Sequence, residues 1–121
     1  MISLKDYGIN IADSIIHISN ISPSYVFDFD SMHNAVKTII SSGHRTIPVV
    51  SKSNDLVGVI TYMDILDALL RRMTRNSQIS VFMTRAVVYC DYKEPITSAL
   101  QKMKFSIRGY LPVLNNKKLV G

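Results

Sequence analysis

Few side chains in this 121-residue chain are of types that carry chemistry, and their spacing narrows the options quickly. His17, His33 and His44 keep no metal-ligand spacing with one another or with Cys90, the single cysteine, so the ligand patterns of a zinc centre are missing. Cys90 falls in a segment that reads as a strand, with no local base to draw off its proton, and is expected to be a small buried thiol. Asp28 and Asp30 imitate a catalytic carboxylate pair, but Asp30 stands where a helix should begin and serves better as its cap. No nucleophile, base and oxyanion donor can be assembled, so the chain reads as a binder and not as an enzyme. One motif remains. Thr61-x-x-Asp64 marks the junction of a strand and a helix, where about four N–H groups lack intrahelical partners and the helix dipole favours negative charge. The same residues spell a capping box, so the motif reads as a cap, as an anion site, or as both.

The elements that hold this motif repeat. Ile47-Pro48-Val49-Val50 lies over Leu111-Pro112-Val113-Leu114 at an offset of 64 residues. Met32, Ala35, Val36 and Ile39 then fall on Ile96, Ala99, Leu100 and Met103. Each set has the i, i+3, i+4, i+7 spacing of one apolar helix stripe. Asp30 or Ser31 can cap the first helix and Gly43 can end it, while Pro95 suits the first helical position after Glu94. Leu56-Val57-Gly58 matches Leu119-Val120-Gly121 at an offset of 63, because the turn 51–55 is one residue longer than the turn 115–118. Each unit reads as a short strand (Tyr25 to Phe29; Val87 to Tyr89), the helix, a strand beginning before Pro48 or Pro112, a polar turn and the second strand of a hairpin. A further helix with Ile65, Leu66, Leu69 and Met73 on its apolar face completes the first unit. The second unit stops at Gly121 and is read as truncated there, a fragment cut inside a repeat. Short helical lead-ins (Ile11 to Ile16; Ile79 to Met83) precede the units, and Asn76, Ser77 and Gln78 link them. The division is therefore residues 1–76 for the first repeat with its lead-in and 77–121 for the second, in an α/β (α+β) fold with pseudo-two-fold symmetry.

Composition agrees with a folded chain. Hydrophobic residues at 47% against 19% charged can build a core, and no apolar run approaches the roughly 20 residues of a membrane helix. With one cysteine the chain relies on packing, which points to a reducing, cytoplasmic setting. The net charge of +5 is divided unevenly: residues 1–60 carry four basic and five acidic side chains, residues 61–121 ten and four. The second half should attract anions, whether nucleotides, nucleic acid or an acidic protein surface, or simply present solvated faces.

The β-α-β-β-α order with Leu56-Val-Gly-Val-Ile-Thr-Tyr-Met-Asp64 after an x-x-Pro-Val strand resembles the cystathionine β-synthase (CBS) domain. Two tandem copies are similar to a Bateman module, and the resemblance spans about Ile11 to Gly121. It implies a regulatory module that senses an adenosyl nucleotide (AMP, ADP, ATP or S-adenosylmethionine, with AMP or ATP foremost) in clefts between the copies and signals by conformational change. No other cofactor is implied. By position, Thr61 would contact phosphate, Asp64 the ribose hydroxyls, Val59 with Ile47 the two sides of the adenine, and Arg45 the phosphate. His44 would line the cleft beside Arg45. In the second copy Gly109 replaces the arginine, and Arg108 stands in for it. The partners expected are the nucleotide, a second copy in a homodimer, and an unidentified regulated protein, with no membrane. Two rival readings remain open: a nucleic-acid-binding module using the basic second half, and a ligand-free dimerisation scaffold whose motif residues serve only as caps.

Overall fold

In the computed structural model, which describes residues 14–15, 23–106 and 110–121, the two units share one strand-helix-strand-strand order. The first has β1 (Val26–Phe27), α1 (Met32–Ser42), β2 (Thr46–Val50), β3 (Leu56–Thr61) and α2 (Tyr62–Leu70). After α3 (Ile79–Phe82), the second has β4 (Cys90–Asp91), α4 (Ile96–Met103), β5 (Val113–Asn115) and β6 (Lys118–Leu119). Each unit forms a three-stranded sheet, in the orders β1-β2-β3 and β4-β5-β6. Val26 pairs with Val49 and Cys90 with Val113, in parallel, so even the register repeats at the offset of 64. Val50 faces Leu56 and Leu114 faces Leu119, which reproduces the one-residue difference between the two turns.

Local chemistry accounts for the element ends. Ser31 caps α1, its hydroxyl accepting from the Asn34 N–H at 3.2 Å. Asp30 is not the cap: its carboxylate accepts from the Phe27 N–H and from Asn34 Nδ2, each at 3.0 Å, and so fastens β1 to the helix. Gly43 closes α1 with φ 72° and donates to the Ile39 carbonyl at 3.1 Å, the left-handed ending glycine adopts without a Cβ clash. Pro95 has extended backbone (ψ 153°) and is the cap residue of α4, so the helix begins at Ile96, one position later than expected.

The strand expected over Val87 to Tyr89 forms instead at Cys90–Asp91. Its position is decided by the partner strand, since the Cys90 and Tyr92 N–H groups donate to the carbonyls of Pro112 and Leu114. The expected lead-in over Ile11 to Ile16 lies outside the described residues except for Ser14 and Ile15, and the second lead-in forms as α3.

The first repeat closes over Val26, Met32, Ala35, Ile47, Val49 and Ile60, with Ile65 and Ala68 of α2 and Ile79 of α3 in the same cluster. The α2 stripe is thus narrower than its sequence promised. Leu66 and Leu69 are 49% and 55% exposed, because Ile65 and Ala68 face α1 in their place. A smaller cluster packs Val50 against Leu114 and Leu119, joining the repeats. Around it the hairpin tips exchange hydrogen bonds reciprocally: Leu56 N–H to the Lys117 carbonyl at 3.1 Å, and Leu119 N–H to the Asn54 carbonyl at 3.3 Å. Between those bonds the Lys118 ammonium lies 2.6 Å from the Asp55 carboxylate.

Candidate functional site

The β2–β3 ladder carries most of the residues singled out from the sequence. Thr46 pairs with Thr61, Ile47 with Ile60 and Pro48 with Val59. Side chains alternate along a strand, so Thr46, Pro48, Val59 and Thr61 share one face while Ile47 and Ile60 point to the other, into the helical core. Ile47 and Val59 therefore lie on opposite faces of the sheet.

At the end of β3 the capping box forms in full. Asp64 N–H donates to Thr61 Oγ1 at 3.1 Å and Thr61 N–H to Asp64 Oδ2 at 2.8 Å. Thr84, beyond α3, donates its hydroxyl to the same carboxylate, 3.1 Å from Oδ1 and 3.2 Å from Oδ2. Thr84 also exchanges two 2.8 Å backbone bonds with Val59, so the start of the second unit is sewn to β3 beside the motif. Arg45 is exposed, with its guanidinium 5.8 Å from the Tyr62 ring centroid at the first turn of α2. Arg108 lies outside the described residues, as do Gly109 and His17.

A cavity of about 350 Å³ opens where the repeats meet. His44, Thr46, Ile47 and Pro48 line it from the first repeat, and Tyr110, Leu111, Ile96 and Leu100 from the second. Of the predicted site residues the cavity gathers His44 and Ile47. Thr61 and Asp64 cap α2, with Thr61 beside Thr46 across the ladder. Burial pushes the Tyr110 phenol well above its ordinary pKa, so it stays a neutral donor and acceptor there. Tyr110 and Leu111 were not singled out from the sequence, although the 64-residue offset pairs them with Thr46 and Ile47. Thr84 gave no sequence signal. Ile96 and Ala99, which form part of the cavity wall, are the repeat partners of Met32 and Ala35, and those pack with α2.

Near β4 a second polar group is built. Burial raises the Glu94 pKa, but the Lys102 ammonium at 2.6 Å, the Asp91 N–H at 3.0 Å and the Ser98 hydroxyl at 2.9 Å outweigh it and hold the carboxyl below its ordinary range. A depressed folded pKa contributes stability that is complete above the unfolded value and is lost as pH falls through the folded one. Glu94→Gln should therefore melt below wild type at pH 7, and the difference should shrink as pH falls below the ordinary glutamate range. A melting difference that does not shrink at all on acidification would reject the ion-pair account.

Cys90 is buried, and burial first, the Glu94 charge second, push its thiol up to about 11. It is poorly suited to act as a nucleophile at neutral pH. Among the described residues no three His, Cys, Asp or Glu side chains form a metal-sized group, and no helix is long and apolar enough to cross a membrane.

Two α+β units with matching registers, meeting at a cleft, define a tandem-repeat fold. Residues 15–71 and 77–121 each match the CBS domain, and the chain belongs to the CBS domain family. A CBS domain pair in complex with 5′-methylthioadenosine and S-adenosyl-L-methionine is 27% identical, with TM-score 0.73 over 89% of this chain and 86% of that one. A putative acetoin utilization protein from Vibrio cholerae, at 17% identity, shares the fold with TM-score 0.80 over 89% and 81%. Among curated proteins, an L-aspartate semialdehyde sulfurtransferase of Methanocaldococcus jannaschii is 33% identical over 92 residues, which is 75% of this chain and 18% of that protein. An uncharacterized protein of the same organism is 29% identical over 87 residues, 72% and 31% respectively. The chain thus spans less than a third of these curated relatives.

Proposed function

We propose that the chain is a regulatory module that binds an adenosyl ligand in the cavity between its repeats and passes binding on as a change in their relative angle. The carrying observation is the cavity of about 350 Å³, with apolar walls from both repeats and polar atoms from His44, Thr46 and Tyr110. An adenosyl group suits such a site because its flat base buries apolar surface and its edges take a few placed hydrogen bonds. The 27%-identical CBS pair that holds two adenosyl compounds supports the same class. Arg45, next to His44, is proposed to reach the phosphate of AMP or ATP, and Thr61, across the ladder from Thr46, to accompany it. Asp64 is proposed to hold the ribose in addition to its cap. Val59, on the Thr61 face, and Ile47, behind it, complete the proposed adenine surroundings, with Arg108 as the second repeat's cation. Ligand contact with both repeats would favour one relative angle over others, a population shift.

The test uses Leu100, which lines the cavity yet is 53% exposed, so a larger side chain fills the space without disturbing the core. Calorimetric titration of 5′-methylthioadenosine, S-adenosylmethionine, AMP and ATP should give binding to wild type. Leu100→Trp should weaken each of them at least tenfold, about 1.4 kcal/mol. Unchanged affinity in the folded variant would move the site elsewhere.

Self-association is proposed through the outer face of α2, where Met63, Leu66, Leu69 and Leu70 are exposed on one short helix. Leu66→Glu with Leu69→Glu should shift the sedimentation coefficient from dimer to monomer. A wild type already monomeric at high micromolar concentration would refute the dimer.

A further inference from the structure

A second cavity, of about 260 Å³, lies along the seam and shares no lining residue with the first. It is bounded by Leu56 and Val57 of β3, Arg85 and Tyr89 of the segment between α3 and β4, and Leu114 and Lys117 of the second hairpin. Its charge is unbalanced. Neither Arg85 nor Lys117 is in an ion pair among the described residues, and Asp55, the acid on the same wall, is held by Lys118 at 2.6 Å. The Arg85 guanidinium is oriented by a 3.0 Å bond from Nη2 to the Ser80 carbonyl, which leaves its other N–H groups for a ligand.

Lys117 is placed at a conformational cost. Asn116 and Lys117 form the two-residue β5–β6 turn with φ of 51° and 70°, where glycine would fit the second position best. A lysine kept in left-handed backbone is an outlier of the kind that gathers at ligand clamps. Here it puts an ammonium-bearing side chain on the cavity wall while its carbonyl receives the Leu56 N–H across the seam.

We propose that this cavity is an anion site that takes a phosphate group, between the Arg85 guanidinium and the Lys117 ammonium. Guanidinium and ammonium donors both suit a phosphate, and the Leu56, Val57, Leu114 and Tyr89 walls suit an apolar substituent attached to it. The site does not depend on the adenosyl reading, since it uses other residues. A phosphate held there touches the inter-repeat segment and the second hairpin together.

The experiment titrates orthophosphate and phenyl phosphate separately into the protein at low ionic strength, following the Gly58 and Tyr89 amide resonances. Both should shift saturably. Arg85→Gln and Lys117→Asn should each weaken binding about tenfold, the loss of one charge-assisted hydrogen bond. Asparagine tolerates left-handed backbone, so Lys117→Asn keeps the turn. Lys93→Gln, outside the cavity, should bind as wild type does. Tighter phenyl phosphate assigns the site to a phosphate ester, and equal affinities assign it to free phosphate. Absence of saturable shifts, or wild-type affinity in both variants, overturns the proposal.

Discussion

Gly58→Val should destabilise the protein by about 3 kcal/mol and lower its melting temperature by roughly 10 °C or more. A Cβ at position 58 would lie 2.6 Å from the Thr84 carbonyl oxygen and 3.1 Å from Met83 Sδ. The methionine can shift, but the carbonyl cannot, because the Thr84 backbone is bonded to Val59 in both directions. The added atoms must push the Met83–Thr84 segment off β3. That costs overpacking strain of about 1 to 3 kcal/mol together with hydrogen bonds worth about 1 kcal/mol each. Gly58→Ala should show most of the effect, since the first atom makes the clash. Thermal melts within 2 °C of wild type for both variants, a shift of well under about 1 kcal/mol, would mean that the approach of Thr84 to β3 is not required.

Asp64→Ala should come next, at about 2 to 3 kcal/mol. It removes the half of the capping box in which Asp64 accepts the Thr61 N–H, a bond worth about 1 kcal/mol, and the carboxylate that accepts the Thr84 hydroxyl, while Thr61 still caps α2. Thr84→Val removes only that hydroxyl and should cost less. The double variant should fall short of the sum by about 0.5 kcal/mol or more, because the residues share a bond. Additive losses would show that the contact contributes nothing. The same variants separate cap from ligand: if Asp64 also holds a ribose, Asp64→Ala loses adenosine affinity about tenfold while Thr84→Val does not. Equal adenosine affinity in wild type and folded Asp64→Ala removes the ribose role.

The parts of the fold that were legible in the sequence are those set by local chemistry. The stripe Met32, Ala35, Val36 and Ile39 specified α1, Gly43 ended it, and Thr61-x-x-Asp64 formed the box its spacing describes. The repeat offset carried the strand registers of one unit onto the other. Contacts between distant segments left no local trace. Val87, Val88 and Tyr89 have the better strand propensity, yet the pairing partners of Cys90 and Asp91 decide where β4 forms. Likewise Asp64 and Thr84 meet only because the chain returns after α3 to the edge of β3. The division of Ile47 from Val59 follows from which residues pair across the ladder, and composition cannot supply that register. Lys118 reads as a solvated turn residue in the sequence and is the partner of Asp55 in the structure.

That ion pair bears on how the two repeats recognise each other. The seam's two backbone bonds map onto each other under the 63-residue shift, Asn54 to Lys117 and Leu56 to Leu119, which is how an interface between identical subunits is related to itself. The same shift carries Asp55 onto Lys118, so these two occupy one position seen twice, facing each other across the pseudo-dyad. Between two identical repeats, that position would confront its own charge. Within one polypeptide the two copies of the position differ, one acidic and one basic. The seam now accepts a first repeat against a second and repels either against its own kind.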